Sequence, residues 1–80
     1  MYDYYREVVF NFRNKENDEV VSIKNNDKVL IKMSGENFIR KSRVVDISNA
    51  SLLVKNYADA TPYDVILPFS LIESIEKEVE

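Results

Sequence analysis

Residues 32–56 read "KMSGENFIRKSRVVDISNASLLVKN" and hold the single glycine of an 80-residue chain, Gly35. The polar "SGEN" at 34–37 follows the apolar run "KVLIKM" (28–33) and reads as a tight turn. A glycine belongs there because it lacks the Cβ that clashes in such turns. "FIRKSRVVDI" (38–47) then reads as a long strand with a charged middle. "SNAS" turns it, and "LLVKN" (52–56) is short and mostly apolar, as a core strand should be.

Working outward, "VVSIK" (20–24), "NND" and "KVLIKM" read as strand, turn, strand. Asn25, Asn26 and Asp27 tolerate the positive φ that hairpin turns need. Downstream, "ADATP" is a loop in which Pro62 pushes Thr61 towards extended geometry. "YDVIL" (63–67) is a strand that Pro68 ends. "FSLIESIEKEVE" (69–80) admits two readings. Ser70 and Glu73 resemble a capping box, with Leu71, Ile72, Ile75 and Val79 on one helical stripe. The other reading is a short turn at "PFS" followed by a strand.

At the start, "MYDYYREVVFNF" also fits two periods. Tyr2, Tyr5, Val9 and Phe12 recur at helical spacing, whereas Tyr4, Arg6, Val8, Phe10 and Phe12 alternate. Aromatic and β-branched content favours a strand. Tyr2, Tyr4 and Tyr5 are read as packing residues ahead of base-stacking ones. "NKENDE" (14–19) is a polar loop. Many short strands between polar turns indicate a mostly β protein, a small antiparallel barrel.

Composition narrows the function. A chain this short buries only about 60–65% of its unfolded surface, so a partner subunit would help it. It has no Cys and no His, which removes thiol chemistry, the usual general base and the commonest zinc ligand. No carboxylates stand at metal-ligand spacing, and an isolated glycine makes no phosphate loop. The expectation is a non-enzyme without cofactor or metal. The net charge of −3 is opposite to that of a generic nucleic-acid binder. No stretch approaches the ~20 apolar residues that span a bilayer, and no basic-then-apolar leader opens the chain. A cytoplasmic protein without membrane contact is expected.

The order of these elements resembles the Sm-like (LSm, Hfq-like) family. Its first motif is an apolar strand, a turn with Gly, a bent second strand ending in an apolar residue and Asp eleven positions after the Gly, then an apolar third strand. Here these are "VLIKMSG", "FIRKSRVVD" with Val45 and Asp46, and "LLVKN". The second motif is a strand, a tight turn and a closing Ile-x-x-Ile strand, matched by "DVILPFSLIESI" with Ile72 and Ile75. The resemblance covers residues 29–77 and favours the strand reading of the last segment. It implies an SH3-type antiparallel barrel over residues 19–80, with residues 1–18 as an N-terminal extension. The chain departs from the family at Arg40, where a second Gly is common, at Ser42, an apolar position, and in two extra residues before "LLVKN". Where family members carry Lys-His or Arg-Gly in the last turn, this chain has Phe69-Ser70.

The resemblance also implies a homo-oligomeric ring in which the fourth barrel strand pairs with a neighbour's fifth. Tyr63, Val65, Leu67, Ile72 and Ile75 would line that interface, and ring closure would satisfy both apolar edges. It further implies RNA at the pore, held by Asp46, Ser48 and Asn49, with Phe69 and Ser70 beside them. The alternative for Asp46, Ser48 and Asn49 is a turn bonding its own backbone. Lys32, Arg40, Lys41 and Arg43 form the densest basic cluster. It reads either as a phosphate contact or as a solvated face neutralised by Glu36 and Asp46. Two functions follow: an RNA-binding Sm-like ring, or a structural or protein-interaction ring without the RNA site. "VVDISNASLLV" also resembles the D-x-S-x-x-G strand of cyclic-dinucleotide-binding PilZ domains. Asp46 and Ser48 match, Ser51 stands where Gly belongs, and Arg6 and Arg13 lack the spacing of the ligand clamp.

Overall fold

A computed structural model describes residues 9–57 and 61–78 of the chain. Tyr2, Tyr4, Tyr5, Arg6 and Val79 lie outside the described residues. The described residues hold seven strands and no α-helix: β1 (Val9–Arg13), β2 (Val20–Lys24), β3 (Lys28–Met33), β4 (Ile39–Ile47), β5 (Ser51–Asn56), β6 (Tyr63–Pro68) and β7 (Ile72–Lys77). A 3₁₀ turn, Phe69–Leu71, joins the last two. The alternating pattern of the N-terminal segment and the strand reading of the last segment therefore describe β1 and β7.

Five strands form an antiparallel sheet in the order β6-β5-β4-β3-β7, and β1 and β2 form a separate two-stranded sheet. This corrects the expected barrel, because the five-stranded sheet does not close. β6 and β7 are its opposite edges. The missing closure is made good by packing: Phe12 of β1 and Ile23 of β2 join Val29, Ile31, Val44, Leu52, Ile72 and Ile75 in one buried core. Phe10 stacks on Phe69, with centroids 4.5 Å apart and planes 6° from parallel. A hairpin thus plugs the opening that a closed barrel would seal by strand pairing.

The expected hairpin of "VVSIK" with "KVLIKM" is also corrected. β3 has β4 on one edge and β7 on the other, so no edge remains for β2, which pairs with β1. The "NND" turn transfers the chain between sheets, with Asn26 at φ 76°. The hairpin runs across residue 18. Gly35 adopts φ 81° in the turn before β4, as its place in "SGEN" demands. β4 is bent by a bulge between Val44 and Asp46. Ser42, the departure from an apolar pattern, still faces inward at 1% exposure, so the register of β4 is the one alternation requires.

The hairpin also covers one sheet edge. Asn14 is 1% exposed, and its side-chain amide donates to the Ile75 carbonyl at 3.2 Å and accepts from the Ile75 N–H at 2.8 Å. The Lys15 N–H donates to the Glu73 carbonyl at 2.9 Å. Backbone groups that β7 turns away from β3 are therefore satisfied by residues 14 and 15. No helix among the described residues is long and apolar enough to cross a membrane.

Candidate functional site

Strand alternation sorts the basic cluster. On β4, Ser42 and Val44 face the core, so Arg40 points to their side and Lys41 and Arg43 point outward. Arg40 makes a paired contact with Glu36: Nε to Oε1 at 2.9 Å and Nη2 to Oε2 at 2.7 Å. Its guanidinium also lies over the Phe38 ring, 5.3 Å from the centroid. The hydrogen bond from Arg40 holds the Glu36 carboxyl below its ordinary range. Lys32 is engaged by Glu16 at 2.7 Å, which raises the pKa of its ammonium. Two of the four expected cations are thus neutralised within the protein.

The other two belong to a different group. Cross-strand register places Lys28 opposite Arg43, Arg43 opposite Lys55 and Lys55 opposite Asp64. Three cations from three strands therefore form one line across the outer face, at strand spacings of about 4.8 Å. Lys41 lies on the same face two residues from Arg43. Among the described residues Lys41 and Arg43 have no carboxylate partner. Lys55 approaches Asp64 only at 3.9 Å, and the Lys28 ammonium stands over the Tyr57 ring at 5.7 Å. Lys28 and Lys55 were not in the basic cluster read from the chain, because they lie far from Arg43 in sequence and only register brings them alongside. Carboxylates flank this line on the same face: Asp64 beyond Lys55, Glu78 beside Lys28 and bonded to the Tyr57 hydroxyl, and Glu76 opposite Leu30, while Glu16, Asp18 and Glu19 lie in the β1–β2 loop.

The two loops expected at a pore are neighbours, but their residues do not share one face. The Phe69 N–H donates to the Ala50 carbonyl at 3.0 Å, which sets the Phe69–Leu71 turn beside the β4–β5 hairpin. Their chemistry is already committed. The Ser48 hydroxyl contacts the Ser51 hydroxyl at 3.0 Å, and its oxygen accepts from the Ser51 N–H at 3.1 Å. One face of Phe69 is covered by Phe10. Asn49 is exposed at the tip. Asp46 turns to the outer face opposite Leu53, where Asp46, Ser48, Ser51, Leu53 and Ile66 line a shallow depression of about 200 Å³. Ser70 offers its carbonyl to the Lys15 ammonium at 2.8 Å. A cation thus reaches this turn from 55 residues away, with no local signal in the sequence.

Of the residues expected at a subunit interface, Leu67, Ile72 and Ile75 bury their side chains in the core, whereas Tyr63 is exposed and Val65 half-buried on β6. Comparison with protein-family models, curated proteins and solved structures finds no match.

Proposed function

We propose that this chain is a divergent Sm-like β module that binds single-stranded RNA across the outer face of its sheet. Support for the Sm-like reading comes from the strand order β6-β5-β4-β3-β7, in which four consecutive strands form a meander and the last returns to the first. The observation that carries the binding reading is the line Lys28–Arg43–Lys55 with Lys41 beside it. Cations on adjacent strands, free of internal carboxylates at Lys41 and Arg43, suit a polyanion lying over the sheet. The net charge of −3 does not oppose this at physiological salt, because charges beyond a Debye length of about 8 Å are largely screened.

The Ser48–Phe69 loops support RNA less well, since the Ser48 hydroxyl is used in its own turn and Phe69 is stacked internally. The ring the resemblance implies would pair β6 with a neighbour's β7. Residues 14 and 15 already bond that edge, so such a ring requires the hairpin to leave it. Binding across the outer face needs no such rearrangement.

The test is fluorescence anisotropy with uridine-rich and adenosine-rich RNA of about 20 nucleotides at low and moderate salt. Neutralising about three phosphates gives a log–log salt slope near −2, so affinity should fall about twentyfold between about 50 and 200 mM salt. The double variant Lys41→Glu, Arg43→Glu should abolish binding. Absence of binding at the lower salt, or an unaffected double variant, overturns the reading.

A further inference from the structure

The sheet has two edges, and they are not equivalent. β7 is bonded by Asn14 and Lys15, whereas β6 carries no further strand among the described residues. The direction of the β6 backbone follows from the neighbouring hairpin. The Ser48 N–H donates to the Ser51 carbonyl at 3.0 Å, so Ser51 faces β4 and Leu52 faces β6. Phe69 bonding to Ala50 has the same parity. Leu67, Val65 and Tyr63 therefore bond β5, and Asp64 and Ile66 turn their N–H and C=O groups to the open edge. Ile66 is 66% exposed, the most exposed of the large apolar residues described.

We propose that β6 is a self-association edge and that its occupant is a second copy of this chain, paired antiparallel about a twofold axis at Ile66. A head-to-tail contact needs a free β7 edge. A twofold contact needs only β6 twice, and a C2 interface uses the same patch on both subunits. The Ile66 register pairs the edge except for the Asp64 carbonyl, which faces Pro68 and stays with solvent. Ile66 exchanges both hydrogen bonds with its symmetry mate, and the Asp64 N–H meets the Pro68 carbonyl. Pro68 has no N–H to leave unpaired there. On the outer face the row Leu53–Ile66 continues into Ile66–Leu53 of the second copy, an uninterrupted apolar line. On the core side Val65 meets Leu67. A register centred on Asp64 would instead set two carboxylates opposite each other, which is unfavourable.

Such an edge is small beside the surface that stable dimers bury, so association is weak and concentration-dependent. The dimer extends the outer face into one surface carrying both cation lines, and it stands independently of RNA binding, which is read with the Lys41 and Arg43 variants. The direct test uses the absence of native cysteine. Residues exchanging both bonds have Cα atoms about 5.5 Å apart, inside the disulfide range of about 4.4–6.8 Å. Ile66→Cys should form a disulfide dimer at least about tenfold faster than Val20→Cys, an exposed site on the hairpin. In sedimentation the wild type should approach twice its 9.4 kDa mass as concentration rises, while Ile66→Lys stays monomeric with an unchanged circular dichroism spectrum. Equal cross-linking rates, a wild type that stays monomeric at about 500 µM, or a ring of more than two subunits overturns the proposal.

Discussion

The side-chain amide of Asn14 meets the Ile75 peptide as a neighbouring strand would, giving one hydrogen bond and taking another at 3.2 and 2.8 Å. One residue in a polar loop thereby closes an edge of a sheet 61 positions away. Asn is suited to this because its amide carries the same donor and acceptor as a peptide group.

Asn14→Ala should remove both bonds and leave the Ile75 N–H and C=O without them. A loss of about 2–4 kcal/mol is expected, read from the urea midpoint. Hydrogen exchange at the Ile75 amide should accelerate by at least the same factor. An Ile75 amide as protected as in the wild type would show that another group covers the edge.

Ser42 presents the opposite case. Its Oγ is buried and has no hydrogen-bond partner among the described residues. Ser42→Ala should therefore stabilise the protein, by about 1 kcal/mol, because it removes an unsatisfied polar group from the core. A midpoint shifted to lower urea would indicate that the hydroxyl is satisfied in solution.

Arg40 and Lys41 are adjacent in sequence and opposite in role. Lys41→Ala should weaken RNA binding and reduce the salt slope, with stability unchanged. Arg40→Ala should leave RNA affinity within about twofold, because its charge is spent on Glu36 on the other side of β4. Equal losses from the two variants would contradict this division.

The Glu36–Arg40 pair also predicts a pH dependence. The folded-state pKa of Glu36 lies below its ordinary value of 4.5, so the pair stabilises the fold above that value. The contribution is lost as pH falls through the depressed folded pKa. It is modest, under about 1 kcal/mol, because the pair is partly solvated. The stability difference between wild type and Glu36→Gln should be present near neutral pH and vanish in acid. A difference that persists below the folded pKa would place its origin elsewhere.

Much of the strand content was legible locally. Gly35 in "SGEN" announced a turn that needs φ 81°, and the charged middle of "FIRKSRVVDI" announced a strand with one solvated face. Pro68 marked the end of β6, and Ile72 and Ile75 fell on the buried side of β7. Turn chemistry and alternation act over a few residues, so a sequence expresses them directly.

Pairing partners were beyond that reach. Nothing local to "VVSIK" says that it joins β1, because the choice depends on β3 already holding a strand on each edge. The same holds for charge. Arg40, Lys41 and Arg43 look like one cluster along the chain, yet the pleat sends Arg40 to Glu36, and register sets Arg43 between Lys28 and Lys55. The sequence by itself determined where the central strands and turns lie, since those depend on neighbours along the chain, but left the first and last segments between helix and strand. Only the tertiary structure decided which sheet edge is closed, which is open and which cations share a face, because those depend on register between residues far apart in the chain.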